Sequence, residues 1–105
     1  MKKILAVAVV VAIVSACTWV KLTPEGKKTR VATAAEVSGC RKVGLTTSTT
    51  KDVVAGFERS AERVKEELEF LARNAASDLG GDTVVPVSEP RDGRQTFDVY
   101  RCGGP

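Results

Sequence analysis

Phe57, Ala61, Val64, Leu68, Leu71, Ala75 and Leu79 recur at spacings of three and four residues. That spacing is the mark of a helix with one apolar stripe. Ala72 and Ala76 widen the stripe, while Glu58, Arg59, Glu62, Arg63, Glu66, Glu69 and Arg73 line the opposite face. The pairs Arg63–Glu67 and Glu69–Arg73 stand four residues apart and add a few tenths of a kcal/mol each. Leu79-Gly80-Gly81 supplies the glycine that a left-handed C-terminal cap needs. The pattern predicts a helix from about Lys51 to Leu79, with the hydroxyls of Thr46 to Thr50 placed to cap its start. Such a stripe must be covered. A coiled-coil seam would do so, but the flanking segments read as strands that need a cover themselves.

Residues 31–48 alternate, with Val31, Val37, Val43 and Leu45 apolar against Glu36, Ser38, Cys40 and Lys42, which is the pattern of a half-buried strand. Gly39 and Gly44 suggest a bulge or a close approach within it. After the helix, Val84-Val85-Pro86-Val87 forms a second strand, and Pro86, with no N–H to donate, belongs at an edge. Residues 95–102 form a third, with Phe97 and Val99 on one face and Asp98, Tyr100 and Cys102 on the other. Asp92-Gly93 between them is a hairpin turn signal. The expected fold is therefore α+β, strand–helix–strand–strand, with one long helix packed on a three-stranded sheet. Val37, Val43, Val85, Val87, Phe97 and Val99 are the expected surface beneath the helix.

Met1-Lys2-Lys3 precedes eleven residues, Ile4 to Val14, without a polar side chain, and Val14-Ser15-Ala16-Cys17 follows. A basic start and a short apolar run are the layout of a secretory signal. The run is shorter than the roughly 20 residues of a membrane-spanning helix. The four residues ending at Cys17 have the form of a bacterial lipobox, in which the cysteine is acylated and the chain is cut before it. An ordinary secretory signal with an incidental thiol at Cys17 is the rival reading. On the lipobox reading residues 1–16 are a signal peptide, 17–30 the lipidated N-terminus and tether, and 31–105 a small periplasmic domain. Thirteen extended residues of tether reach at most about 45 Å. Loss of residues 1–16 leaves 89 residues and lowers the formal charge from +3 to +1, because Lys2 and Lys3 go with it. Several acyl chains make membrane attachment effectively permanent. Thr18, where enterobacterial sorting places an Asp for inner-membrane retention, points to the outer membrane, facing the periplasm. Trp19 suits the headgroup level.

Cys40 and Cys102 remain. In an oxidising compartment an even pair reads as a disulfide. Both lie on the sheet face away from Phe97 and Val99, and their bonding would place the first and last strands side by side. The strand order then becomes second–last–first. Closing about 62 residues is worth roughly 4 kcal/mol. A redox-active bond and a metal pair are the alternatives, although the chain has no histidine and two thiolates alone make a poor metal site.

Without histidine the commonest general acid/base is missing as well. Asp92 and Asp98 are a conceivable carboxylate pair, yet one fits the hairpin turn and the other a solvent-facing strand position. No catalytic residue, metal or cofactor is expected. A charge of +3 without a basic cluster speaks against nucleic acid.

Val37-Ser38-Gly39-Cys40, Leu71-Ala72-Arg73-Asn74-Ala75-Ala76, Leu79 to Val85 and Tyr100-Arg101-Cys102 resemble a family of small bacterial lipoproteins of unknown function, the YjeI-like lipoproteins. That family is similar in outline to the outer-membrane sensor lipoprotein of the Rcs envelope-stress phosphorelay. The sensor carries two disulfides and a longer, Pro-rich linker, so only its fold is implied here. The function expected is that of a non-enzymatic, lipid-anchored envelope lipoprotein with an interaction or stress-sensor-like periplasmic domain. The alternative is a structural lipoprotein that braces the space between membrane and peptidoglycan. Expected partners are the membrane, through the acyl chains, and an outer-membrane protein or peptidoglycan.

Overall fold

Ser60 opens the helix: its backbone is extended (φ −59°, ψ 135°) and its Oγ accepts from the Arg63 N–H at 3.1 Å, as an N-cap does. Helix α1 runs Ala61–Asp78. These positions come from a computed structural model that describes residues 20–54 and 56–103. Residues 1–16, expected to be a signal peptide, and Cys17, Thr18 and Trp19 lie outside the described residues. At the other end the Gly81 N–H donates to Ala76 O and the Gly80 N–H to Ser77 O, with Gly80 at φ 78°. This is the Schellman arrangement that the Gly80-Gly81 pair predicts.

The helix starts ten residues later than the expected start at Lys51. Residues 51–60 hold a Val pair and Gly56 and form two short paired strands, β3 (Val53–Val54) and β4 (Phe57–Glu58). Phe57 is 77% exposed and is no part of the helical stripe. Thr46 to Thr49 cap nothing. They extend strand β2, Arg41–Thr49, where β-branched side chains fit well.

The sheet has four strands, not three. Strand β1 is Arg30–Val31, β5 is Thr83–Pro86 and β6 is Arg94–Arg101, in the order β1-β5-β6-β2. The expected order of three strands is contained in it. Strand β6 lies antiparallel between β5 and β2, and β1 adds a parallel edge, Arg30 against Thr83 and Val31 against Val84. Pro86 pairs with Phe97. The next N–H, that of Val87, bonds to Thr96 O, so by strand alternation the nitrogen of Pro86 faces the β1 side, beyond the reach of that short strand. A first strand over 31–48 does not form. The chain turns through a 3-10 segment, Ala35–Val37, before β2 begins. Glu36 directs that turn by accepting from the N–H and Oγ1 of Thr33, which is one half of a capping box; the Glu36 N–H itself goes to the Thr33 carbonyl.

Apolar side chains pack on both faces. Ala72, Ala76, Val84, Phe97 and Val99, with Val43 against them, fill the space under the helix, and Leu68 is fully buried. Ala32, Val37 and Val85 form a smaller cluster on the far face, against Cys40, Tyr100 and Cys102. Val37 and Val85 are therefore not beneath the helix, and Val87 is 50% exposed. On β5 it is Val84, opposite Val99, that faces the helix. On β2 a register shift between Lys42 and Gly44 inserts an extra residue and reverses the alternation. Leu45 then stands opposite Asp98 and is 55% exposed.

Residues 21–30, a tether by their composition, lie against α1. Asn74 Nδ2 donates to Lys21 O, and Asn74 Oδ1 accepts from the N–H and Oγ1 of Thr23. Arg73 Nε donates to the carbonyl of the buried Thr29. A side chain on Gly26 would overlap Asn74 Oδ1. No helix among the described residues is long and apolar enough to cross a membrane.

Candidate functional site

The two ends of the sheet are secured differently, and the difference locates the residues with chemical character. At one end Cys40 and Cys102 are bonded, with Cα atoms 4.5 Å apart, on the face away from the helix. Asp82, just after the helix cap, fastens the same end. Its Oδ1 accepts from the Cys102 N–H at 2.8 Å and from Thr83 Oγ1, and its Oδ2 from the Gly103 N–H at 2.7 Å. Burial pushes the Asp82 carboxyl up, but these donors and the charge of Arg101 outweigh it and hold the group below its ordinary value. Gly81 lets the chain pass there, since a Cβ would collide with Val99 Cγ1 and stand 3.0 Å from Tyr100 O.

At the other end an ion pair ties the β3–β4 hairpin to the helix. Arg59 leaves β4 with its N–H donating to Asp52 O. Its guanidinium donates through Nη1 to Glu67 Oε1 at 2.9 Å and through Nη2 to Glu67 Oε2 at 2.6 Å, and Nη1 also reaches Lys51 O. Thr50 Oγ1 donates to Glu67 Oε1 at 2.9 Å. The Arg59 guanidinium holds the Glu67 carboxyl below its usual range against the opposing effect of burial, and Glu67 in turn raises Arg59. A carboxylate with both oxygens engaged in this way is a clamp rather than a proton acceptor. The helical spacing pairs Glu67 with Arg63. In the fold Arg59 takes that place, because Ser60 turns the chain between the hairpin and the helix.

Asp92 and Gly93 adopt φ 52° and 70° between Arg91 and Arg94, which exchange both backbone hydrogen bonds; this is the two-residue hairpin turn that Asp-Gly favours. The turn rests on the chain before β3, with Thr50 N–H donating to Gly93 O, and a Cβ on Gly93 would overlap Thr50 O. Between turn and hairpin lies a pocket of about 210 Å³ lined by Val53, Glu58, Arg59, Val64, Pro90 and Asp92, among others. Asp98 is paired with Lys42 at 3.1 Å on the open sheet face, so it and Asp92 serve separate structural tasks. Gln95, on β6, is buried and donates to Ser88 O. Its Oε1 and the Oγ of Ser48, the residue directly opposite in the sheet, have no hydrogen-bond partner. Among the described residues no group of three His, Cys, Asp or Glu side chains is placed to hold a metal ion.

Of the residues singled out from the sequence, Cys40 and Cys102 are brought together and Cys17 lies outside the described residues. Asp82, Arg59, Glu67 and Gln95 were not legible as a group, because their partners come from elsewhere in the chain. The chain belongs to a family defined by a domain of unknown function (DUF4156), which matches residues 20–102. That match begins where the described fold begins and ends on the second bonded cysteine. No curated protein and no solved structure matches the chain.

Proposed function

We propose that the chain is a lipid-anchored lipoprotein of the bacterial envelope, attached through Cys17 to the periplasmic face of the outer membrane. Its folded domain acts without catalysis, as an interaction or stress-sensor-like module. The observation that carries this reading is the order of features along the chain. A lipobox at Val14 to Cys17 is followed within a few residues by a small fold closed by a disulfide, the type of bond that oxidising compartments sustain. Thr18 supports transfer to the outer membrane. The YjeI-like resemblance is part of the same proposal. The chemistry of the domain supports a binding role: the carboxylates of Asp82 and Glu67, each with both oxygens hydrogen-bonded, are spent on holding the fold.

Metabolic labelling with palmitate tests the anchor. The chain should be labelled and shortened by its first sixteen residues, and Cys17→Ala should abolish both changes. Normal processing and labelling of that variant would overturn the proposal. Affinity capture from detergent-solubilised envelopes then tests the role of the domain. A stoichiometric membrane-protein partner supports interaction, and recovery with peptidoglycan alone supports bracing instead.

A further inference from the structure

The two edges of the sheet are guarded unequally. On one side β1 covers Thr83 and Val84, and Pro86, past the end of β1, offers no N–H to a further strand. On the other side no described strand lies beyond β2. The bonds of its neighbours show which of its backbone groups point outward. The Thr96 N–H goes to Ser88 Oγ and the Thr96 carbonyl accepts from Val87, both toward β5. Thr47, opposite Thr96 on β2, therefore turns its own N–H and C=O away from the sheet. The Thr50 N–H donates to Gly93 O, toward β6, so alternation turns Thr49 outward too, and Leu45 with it. Among the described residues these N–H and C=O groups have no partner.

A free strand edge is a template for another chain, and proteins ordinarily blunt it with charge, proline or a bulge. Strand β2 has its bulge and its charges, Arg41 and Lys42, at one end. The rest, Leu45-Thr46-Thr47-Ser48-Thr49, is uncharged, without proline or glycine, and mostly β-branched, and Leu45 is 55% exposed. This run is complementary to itself. About a twofold axis at Thr47, Thr47 meets its own copy and Leu45 meets Thr49 of the other copy, so every outward N–H faces a carbonyl. Arg41 and Lys42 of the two copies then lie at opposite ends of the joint, whereas parallel pairing would set them side by side. The axis stands perpendicular to the sheet, so both helices cover one face and both N-termini leave at one height along the axis.

We infer that β2 pairs antiparallel with β2 of a second copy of this chain, making a dimer with one continuous sheet. So short an edge buries less than the roughly 800 Å² per partner of a standard interface. The dimer therefore forms where copies are confined to one membrane, which raises their effective concentration; this rests on the lipid anchor of the preceding section. The test uses the full lipidated chain in phosphatidylethanolamine–phosphatidylglycerol vesicles and a short bis-maleimide. With Cys17 acylated and Cys40 bonded to Cys102, an introduced cysteine is the only free thiol. Thr47→Cys should be joined copy to copy several-fold faster than Glu62→Cys, exposed at the start of α1. Adding Leu45→Pro should bring Thr47→Cys down to the Glu62→Cys rate, because that proline removes an outward N–H and no bond to β6. Thr49→Pro does the same at the other end of the run, and circular dichroism identifies which variants keep the fold. Equal rates for Thr47→Cys and Glu62→Cys on chains that float with the vesicles overturn the inference and leave the anchor standing. Fast joining that survives both prolines in folded protein overturns the strand pairing. Joining of Thr47→Cys to another protein in native membranes, with none between copies in pure lipid, overturns it in favour of a foreign strand. Loss of flotation overturns the anchor, and this inference with it.

Discussion

Replacing Arg59 with Leu should lower the stability of the domain by about 2–3 kcal/mol. Glu67 is only 5% exposed and would lose hydrogen bonds of 2.9 and 2.6 Å. A hydrogen bond to a charged group is worth about 1.5–3 kcal/mol, and stranding one member of a buried ion pair costs about 3–5 kcal/mol. The loss falls below that range because Thr50 continues to donate to Glu67 and because the pair lies near the surface, with 15% of the Arg59 side chain exposed. Arg59→Leu combined with Glu67→Leu should be less damaging than the sum of the two changes by about 1 kcal/mol or more, since no buried charge is left alone. Acidity supplies an independent sign. The folded carboxyl of Glu67 lies below its ordinary value. Its contribution is therefore complete above the unfolded value, about 4.3, and is lost as pH falls through the lower folded one. In Arg59→Leu burial opposes the charge with only the Thr50 hydrogen bond and the charge of Arg63 to offset it, so acidification should narrow the gap between variant and parent. Urea titrations followed by far-UV circular dichroism, at about pH 7 and about pH 3.5, measure both effects. A single variant within about 0.5 kcal/mol of the parent, or strict additivity of the pair, would refute the clamp.

Gly81→Ala should cost about 1–3 kcal/mol by overpacking, because the new methyl meets the fully buried Val99 and the Tyr100 carbonyl; a urea midpoint matching the parent would show that β5 and β6 can separate. Cys40→Ser should remove roughly 4 kcal/mol by releasing the closed loop, which spans 62 residues. Cys102 should then react with a maleimide in denaturant without reductant, and its continued protection would mean another partner.

Elements set by the backbone limits of one or two residues were legible without the fold. Gly80-Gly81 ends the helix and Asp92-Gly93 makes the turn, because few other residues tolerate those angles. The buried spacing Val64, Leu68, Ala72 and Ala76 follows from helical period alone. The partnership of Cys40 with Cys102 could be read as well, because an even pair of cysteines in an oxidising compartment bonds; the strand phase expected for Cys40 is absent, since it precedes β2 and packs with Val37 rather than opposite it. The Thr33–Glu36 pair that closes the turn was also present in the sequence, hidden by an alternation that ran through it.

Other features were decided only by tertiary pairing. The stripe continues back to Phe57, and only the return of Phe57–Glu58 against Val53–Val54 takes that residue out of the helix. Val84 and Val85 are chemically equivalent; opposition to Val99 and Asp98 on β6 determines which one meets the helix. The bulge beside Val43 reverses the faces of β2 because period-two alternation has no memory across an inserted residue. Strand β1 is too short to carry a period, so its place beside β5 follows from hydrogen bonds to Asp82 and Val84. Local sterics act within a residue or two and can be read from the chain. Face, register and ion-pair partners depend on contacts between distant segments, which exist only once the chain has folded.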